Sequence, residues 1–191
     1  MKRSYITIVI IYNNSYLKMK VILLVGRQRV GKDTVADILC EHIKNHNRIS
    51  LAYCLKKIIA NTFKISIEEL DRLKNNKNTI FGIEVRNILI NFSESMIDIF
   101  GENVWCDIVN EQLDINKINI ITDIRFLREY KYFQKYKPVT IKIIRNDIDI
   151  TNEESEVDKI PCDHLLNNNS SIDVLKHDLL SKKLFSIKFN K

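Results

Sequence analysis

Two glycines separated by four residues, with a lysine directly after the second, are the residues of this sequence best suited to chemistry. Gly26, Gly31 and Lys32 form the pattern G-x4-G-K. Such glycines let backbone N–H groups turn inward around phosphate oxygens, and the lysine adds a charge that reaches the β- and γ-phosphates. The pattern therefore predicts a loop that binds the phosphates of a nucleotide such as ATP.

Two residues after the lysine are candidates to hold a metal ion. Asp33 stands where a hydroxyl residue that binds Mg²⁺ usually stands, and Thr34 follows it. The Asp33 carboxylate could hold Mg²⁺ directly or through water, accept a hydrogen bond from the phosphoryl acceptor, or stabilise a helix N-terminus. The predicted ATP-binding residues are Gly26, Val30, Gly31, Lys32, Asp33 and Thr34.

The elements on either side of this loop are the ones that such a loop needs. The apolar run from Val21 to Val25 predicts a buried strand that ends at Gly26. From Lys32 to about residue 45, apolar residues recur at helical spacing. Because the whole chain has only 4 glycines, two of them in this motif, the order of strand, loop and helix makes the motif specific.

The rest of the chain continues to alternate between strands and helices. We predict strands at 48–51, 118–121 and 139–144, and helices at 55–63, just after Ser66, and at 88–99, 104–113, 127–135 and 172–184. Residues 74–78 form a polar break that predicts a mobile loop, and 145–169 are polar and irregular. The alternation predicts an α/β fold with three layers, a parallel sheet flanked by helices as in P-loop NTPases, with residues 145–166 as a lid.

Composition and charge exclude several classes of protein. The 191 residues suit one domain, and 45% hydrophobic with 28% charged residues exclude disorder and a membrane-spanning bundle. The net charge of +6 favours an anionic partner, which could be a nucleic acid, a membrane surface or a phosphate compound. Since much of the excess lies near the ends and no basic stripe carries interleaved aromatics, we expect neither a nucleic-acid nor a membrane partner.

The cysteines and the N-terminus indicate the compartment and the domain limits. Four widely spaced cysteines without metal-ligand spacing predict reduced thiols in the cytoplasm. The apolar run from Tyr5 to Tyr12 is too short for a membrane helix and lacks a cleavage site. We therefore expect residues 1–18 to be an extension and 19–191 to be the domain.

A second group of residues could complete a phosphoryl-transfer site. Asp123 follows a predicted strand, where it could orient water bound to Mg²⁺ or cap the next helix. Arg125 is the strongest candidate to hold an acceptor phosphate because its planar fork suits phosphate, and Arg86 is the second. Arg128 and Arg145 could contact donor or acceptor phosphate, or be surface charges. Trp105 could stack on a nucleobase or pack in the core.

Two stretches resemble a known family. Residues 26–39 read G-R-Q-R-V-G-K-D-T-V-A-D-I-L, and residues 121–126 read I-T-D-I-R-F. Both are similar to the deoxynucleoside monophosphate kinases of large DNA bacteriophages and viruses, and weaker matches at 51–57, 101–107 and 154–156 extend the resemblance over about residues 20–180. Where that family has a histidine before the last of these segments, this chain has Glu153.

The resemblance implies an enzyme that transfers the γ-phosphoryl group of ATP, with Mg²⁺, to a deoxynucleoside monophosphate. With the residue arguments above, this predicts catalytic roles for Lys32, Asp33, Asp123 and Arg125 and metal binding by Asp33, Thr34 and Asp123. The resemblance also implies that Arg27 and Arg29 face the acceptor, which the residue arguments place near Arg86, Trp105, Arg125 and Arg128. Small-molecule nucleotides would be the partners, the enzyme would be a homodimer, and a viral protein would act in the host cytoplasm.

Two other functions are compatible with the same residues. One is a kinase of another small phosphate compound, because phosphomevalonate kinases also resemble the G-x4-G-K-D opening. The other is a regulator that binds nucleotide without turnover. The arginines beyond the loop favour an enzyme, since a binding protein does not need to stabilise a transferring phosphoryl group.

Overall fold

Five parallel strands form the central sheet of the computed structural model, which describes residues 19–146 and 156–181. The strands are β1 (Lys20–Val25), β2 (His46–Ser50), β5 (Ile118–Ile124), β6 (Val139–Ile144) and β7 (His164–Asn167), in the order β2-β5-β1-β6-β7. A separate hairpin consists of β3 (Thr79–Ile80) and β4 (Ile83–Glu84). Strand β1 lies in the middle of the sheet, so the loop that follows it is at the centre of the sheet edge.

Seven helices connect these strands in the part of the chain that the structure describes. They are α1 (Lys32–His42), α2 (Leu51–Phe63), α3 (Ile67–Asn75), α4 (Val85–Phe100), α5 (Val104–Asn110), α6 (Leu127–Phe133) and α7 (Ile172–Ser181). Short 3-10 turns follow at Gln134–Tyr136 and Val157–Lys159. None of the described helices is both long and apolar enough to cross a membrane.

The helices cover both faces of the sheet because β1 is apolar on both. Ile22 and Leu24 pack with residues of α1 and α7, whereas Leu23 and Val25 pack on the opposite face with residues of α2, α5 and α6. A third, smaller core joins α2, α3 and α4 through Ile59, Leu70 and Val85. The α/β fold with three layers that the sequence predicts is confirmed.

The predicted elements agree with the structure along most of the chain, and strand 139–144 has the predicted limits. Helix α1 ends at His42, earlier than predicted, and α5 ends at Asn110 instead of residue 113. The prediction of a mobile loop at 74–78 is wrong at its start, because α3 continues through Asn75. The β3–β4 hairpin was not predicted, since each of its strands has only two residues.

The largest difference lies in the segment predicted to be an irregular lid. Residues 164–167 form β7, which pairs in parallel with β6, and Leu166 is 1% exposed in the core. The end of the segment therefore belongs to the sheet and cannot move as a lid. Residues 147–155 of the remaining segment lie outside the described residues, as does the predicted extension at 1–18.

Candidate active site

The phosphate loop, residues 26–34, needs its glycines for space and for backbone conformation. A Cβ at Gly26 would lie 2.7 Å from the Ile143 carbonyl oxygen and 2.8 Å from a Val30 methyl group. Gly31 is the N-cap of α1 with φ +97°, and a Cβ there would lie 2.3 Å from Asn168 Nδ2. Only glycine meets both conditions without strain, so the two glycines fix the shape of the loop.

Lys32 stabilises the loop by donating to its backbone. Its Nζ donates to the carbonyl oxygens of Gly26 and Arg27, both at 2.7 Å, and the residue is 6% exposed. The ammonium group therefore lies inside the loop, where a bound phosphate would also lie. Binding of phosphate would let the same charge exchange these carbonyl groups for phosphate oxygens.

Asn168, which follows β7, braces the phosphate loop and was not predicted as a site residue. Its side-chain Nδ2 donates to the Val30 carbonyl oxygen at 2.8 Å, and its backbone N–H donates to the Ile144 carbonyl oxygen at 2.8 Å. The sequence signal for it was the asparagine-rich turn before the last helix. Its exact partner could not be found without knowing that β7 joins the sheet next to β6.

Asp33 is held on the outer side of α1 by an arginine from β2. Arg48 donates to Asp33 Oδ1 at 2.6 Å and to Asp37 Oδ1 at 2.5 Å. Burial acts to lower the pKa of Arg48, but the hydrogen bonds and charges of the two carboxylates outweigh it, so the pKa is raised. Arg48 and Asp33 both line the first cavity, described below.

Asp123 reaches the site through an irregularity in β5. Leu23 pairs with Ile121 and Val25 with Ile124, so Thr122 and Asp123 together lie opposite one residue of β1. Asp123 has φ +70°, a left-handed conformation that is costly for a residue with a side chain. Bulges of this kind re-aim side chains near active sites, and here Asp123 Oδ2 accepts from the Ser50 hydroxyl at 2.5 Å.

Two neighbouring cavities meet at the carboxyl ends of the strands. The first, of about 930 Å³, is lined by phosphate-loop residues from Gln28 to Thr34 and by Arg48, Ser50 and Asn168. The second, of about 500 Å³, lies against α4 and has a more apolar wall that includes Leu55, Leu89 and Trp105. Six residues line both cavities: Gln28, Ala52, Lys56, Lys74, Asp123 and Arg125. The two cavities are therefore one continuous site with two parts.

Four cationic side chains surround the junction and are named here the cationic cluster: Lys56, Lys74, Arg86 and Arg125. All four line the second cavity. Burial lowers the pKa of Lys74, and the charges of Lys56, Arg125 and Arg86 lower it further, while Asp71 opposes them. Asp71 accepts from Lys56 Nζ at 2.8 Å and lies 3.7 Å from Lys74 Nζ. The positive charges are thus close enough to repel one another, and a bound anion would relieve that repulsion.

The arginine loop, residues 125–127, is positioned by a buried carboxylate. Glu129 Oε2 accepts from the backbone N–H groups of Arg125 at 2.8 Å and Phe126 at 3.1 Å. Burial raises the pKa of Glu129 although these hydrogen bonds oppose the shift. The Arg128 guanidinium lies 4.6 Å from the centre of the Phe126 ring. The backbone that carries Arg125 is therefore fixed from inside the protein.

The structure brings most of the predicted site residues together. Arg29 and Arg145 line the first cavity, Arg86 and Arg128 line the second, and Arg125 lines both. Trp105, 8% exposed, belongs to the core and also lines the second cavity. Arg27 lines neither cavity, and its guanidinium binds Asp158 at 2.5 Å.

Lys56 and Lys74 were missed by the sequence reasoning. Lys74 was placed in the polar break, and Lys56 has neighbours on α2 that gave it no distinguishing spacing. Neither residue carries a local signal, because Lys56 and Lys74 approach each other through Asp71 only when α2 packs on α3.

The donor atoms near the phosphate loop fit a magnesium ion that is carried in by phosphate. Asp33, Thr34 and Asp123 line the first cavity with hard oxygen ligands. Among the residues that the structure describes, no group of three or more His, Cys, Asp or Glu side chains could hold a metal by itself. This agrees with the habit of Mg²⁺ in such sites, which takes one or two protein oxygens and completes its shell with phosphate and water.

Comparison with known proteins gives one family. The model of the family "Phosphomevalonate kinase" matches residues 24–139, which include the phosphate loop and the arginine loop. A search of curated proteins with this sequence finds no significant match.

Solved structures with a similar fold include three from bacteria. A sugar kinase from Janibacter sp. HTCC2649, unliganded, is 11% identical with a TM-score of 0.42, covering 85% of this chain and 93% of that chain. TT1252 from Thermus thermophilus is 15% identical with a TM-score of 0.45, covering 89% and 98%. Shikimate kinase from Bacteroides thetaiotaomicron is 11% identical with a TM-score of 0.41, covering 86% and 98%.

Proposed function

The chain belongs to the phosphomevalonate kinase family, and from that premise we propose that it transfers the γ-phosphoryl group of ATP to the phosphate of a small phosphorylated acceptor. The observation that carries this proposal is the cationic cluster, which lies at the junction between the phosphate loop and a second, partly apolar cavity. A protein that only bound nucleotide would have no need for a second anion site there.

ATP would bind along the phosphate loop with its γ-phosphate directed toward the cationic cluster. Backbone N–H groups at the start of α1 would surround the β-phosphate, and Lys32 would exchange its two carbonyl partners for phosphate oxygens. Mg²⁺, held through Thr34 and Asp33 or Asp123, would neutralise charge on the phosphates when bound. Asp33 would have to leave Arg48 to take part.

The acceptor would place its phosphate among Lys56, Lys74, Arg86 and Arg125 and its body against the apolar wall. Arg125 is best placed to hold the acceptor phosphate, because it lines both cavities and its backbone is fixed by Glu129. Since that phosphate is already an anion, no strong general base is needed. The residues act by positioning two anions in line and by offsetting their repulsion.

Two acceptor classes follow from different observations. The family match favours phosphomevalonate, a small acceptor with a phosphate. The resemblance of the phosphate and arginine loops to viral kinases favours a deoxynucleoside monophosphate, and Trp105 on the cavity wall would suit a base. We propose the first as the leading acceptor and the second as its rival.

An ADP-release assay across a panel of acceptors tests the proposal. The panel holds phosphomevalonate and all deoxy- and ribonucleoside monophosphates, with Mg-ATP as donor and Lys32→Ala as the inactive control. Turnover with phosphomevalonate alone supports the leading acceptor, and turnover with a nucleotide replaces it with the rival. ATP binding with no turnover on any acceptor would contradict the proposal and favour a nucleotide-binding regulator.

The cytoplasmic location, the homodimer, and the lack of nucleic-acid and membrane partners stay predictions. Size-exclusion chromatography with light scattering would test the dimer.

A further inference from the structure

One turn of the chain touches both the phosphate loop and the arginine loop. This bridge turn, residues 156–160, is anchored by Val157 and Ile160, which are 2% and 1% exposed and pack in the core beneath α5 and α6. Its polar side chains, Glu156 and Asp158, point outward from that anchor. Because the turn is anchored in the core, a shift of the turn at the phosphate loop would also move its contact with the arginine loop.

At one end the bridge turn holds the arginine loop. Glu156 Oε2 accepts from the backbone N–H of Leu127 at 3.1 Å. The two preceding N–H groups, of Arg125 and Phe126, are held by Glu129. Three successive amide groups are thus held by two carboxylates, and Glu156 is the one that comes from a distant part of the chain. The position of the arginine loop relative to the rest of the site therefore depends on Glu156.

At the other end the bridge turn holds the phosphate loop. Asp158 Oδ2 accepts from the Arg27 guanidinium at 2.5 Å. The Arg27 carbonyl oxygen in turn accepts from Lys32 Nζ. Lys142 of β6 donates to the Asp158 carbonyl oxygen at 3.2 Å and holds the backbone at Asp158. The ammonium group of Lys32 is thus two contacts away from Asp158.

We propose that Glu156 and Asp158 are positioning residues that couple the phosphate loop to the arginine loop, so that binding of the nucleotide and binding of the acceptor phosphate reinforce each other. The inference rests on the proposed function for the identity of the two ligands. It goes beyond that function because neither residue lines the two cavities of the site, and each acts through a loop that it touches.

Coupling makes a prediction that separate local roles do not make. If each contact only supported its own loop, Asp158→Ala would weaken nucleotide binding and Glu156→Ala would weaken acceptor use. If the bridge turn couples the loops, each change also affects the other ligand, because both loops are held by this one turn and a shift of the turn moves both. The measurements that test coupling are therefore the cross effects, which are the effect of Asp158→Ala on acceptor use and the effect of Glu156→Ala on nucleotide binding.

The experiment compares four variants of the full chain with two matched controls. The variants are Glu156→Ala, Glu156→Gln, Asp158→Ala and the double change Glu156→Ala with Asp158→Ala. Asp163→Ala is the control for Glu156, because Asp163 also accepts from a backbone N–H, that of Thr140 at 2.7 Å, away from the site. Glu41→Ala is the control for Asp158, because Glu41 forms an ion pair with Lys176 at 2.9 Å.

Calorimetry with the non-hydrolysable analogue AMP-PNP gives the nucleotide Kd, and the acceptor KM comes from the ADP-release assay. We expect Asp158→Ala to raise the acceptor KM about fivefold or more, and Glu156→Ala to raise the AMP-PNP Kd by a similar factor. Glu156→Gln should recover most of the loss, because its amide oxygen can still accept from Leu127. In the double variant the effects should be less than multiplicative. Cross effects that are absent, or that both controls reproduce, would overturn the coupling.

A binding measurement separates failure of this inference from failure of the proposed function. If the wild type turns over no acceptor, the proposed function fails, and the Kd of inorganic phosphate is then measured with and without saturating AMP-PNP. Coupling requires AMP-PNP to change that Kd in the wild type, and requires Glu156→Ala and Asp158→Ala to reduce the change. A Kd that AMP-PNP does not change, or a change that persists in both variants, overturns the inference.

Discussion

The phosphate loop and the cationic cluster bind the same kind of chemical group but are built in opposite ways. The phosphate loop consists of nine consecutive residues, 26–34, and its geometry follows from two glycines and the start of one helix. The cationic cluster takes Lys56 from α2, Lys74 from α3, Arg86 from α4 and Arg125 from the end of β5. One is a local structure, and the other exists only when four elements have packed.

This difference predicts two patterns of response to mutation. The phosphate loop has one ammonium group in its interior, so the loss of that group should leave nothing to replace it. The cationic cluster has four charges that repel one another, so the loss of one should be partly offset by relief of that repulsion. A substitution in the phosphate loop should abolish nearly all activity, whereas a substitution in the cationic cluster should cause a partial loss.

The largest effect is expected for Lys32→Ala. It removes the one buried charge inside the phosphate loop, and a positioned charge at a transferring phosphoryl group contributes about 3–4 kcal/mol, or about 10²–10³ in rate. Steady-state kinetics with Mg-ATP measures the loss. Turnover close to that of the wild type would contradict the assignment of the loop and remove the contrast between the two regions.

Arg125→Lys should have the next largest effect, and mainly on the acceptor. Lysine keeps the charge but loses the planar fork. The transition-state stabilisation measured by kcat/KM for the acceptor should therefore fall by about 2 kcal/mol, while the AMP-PNP Kd changes little. Arg72→Lys is the matched control, since Arg72 pairs with Glu69 on α3 and lines neither cavity. A weaker AMP-PNP Kd with an unchanged acceptor KM would place Arg125 on the nucleotide side and leave Arg86 as the acceptor clamp.

Lys74→Ala should cause a smaller, graded loss of about tenfold in acceptor kcat/KM, because three charges of the cluster remain. The effect should also depend on pH. Burial and neighbouring cations lower the pKa of Lys74, so it loses its charge at a lower pH than an ordinary lysine. As pH rises into that range, acceptor kcat/KM should fall for the wild type.

The matched variant for this pH effect is Lys74→Arg, whose guanidinium keeps its charge and should remove the alkaline fall. The free energy of unfolding should rise over the same pH range in which acceptor kcat/KM falls. Because the folded-state pKa is lowered, protonated Lys74 destabilises the fold below that pKa, and the cost is relieved as pH rises from there toward the ordinary value of 10.5. Identical pH profiles for wild type and Lys74→Arg would show that Lys74 does not contribute.

The smallest expected effect is on the free energy of unfolding, and it is found by comparing alanine substitutions at two glycines. Gly31→Ala strains a positive φ and also pushes Asn168 Nδ2 from its hydrogen bond to Val30, whereas Gly82→Ala strains a positive φ with nothing within 4 Å. Gly31→Ala should destabilise the fold by about 1 kcal/mol more than Gly82→Ala, the value of one hydrogen bond. Urea denaturation measures both. Equal losses would show that Asn168 does not brace the loop.

The sequence predicted the phosphate loop and the main strands because both leave local patterns. The motif from Gly26 to Thr34 depends on spacing within one segment, and β1 and β6 are continuous apolar runs. Arg125 could be predicted because it follows a strand that ends at the ligand-binding edge of the sheet.

The remaining parts depend on contacts between distant residues. Lys74 reads as part of a polar break until α3 packs on α2 and brings it beside Lys56 and Asp71. Strand β7 has only four residues, and it is recognisable as a strand only once β6 lies beside it. The partner of Arg27, Asp158, is 131 positions away along the chain. No periodicity or motif in a single sequence encodes such pairs.

The bulge in β5 makes regular sheet pairing and the present position of Asp123 at the cavities mutually exclusive. Thr122 and Asp123 occupy the length that one residue would occupy in a regular ladder opposite β1. Deleting one of them would restore even pairing and remove the left-handed conformation at Asp123. The same deletion would leave Ile124 opposite Val25, because Ile121 and Ile124 already pack in the same core, but it would remove the present position of Asp123 beside Ser50. The extra residue therefore costs regular pairing and a left-handed conformation, and what it supplies is the position of Asp123 where the two cavities meet.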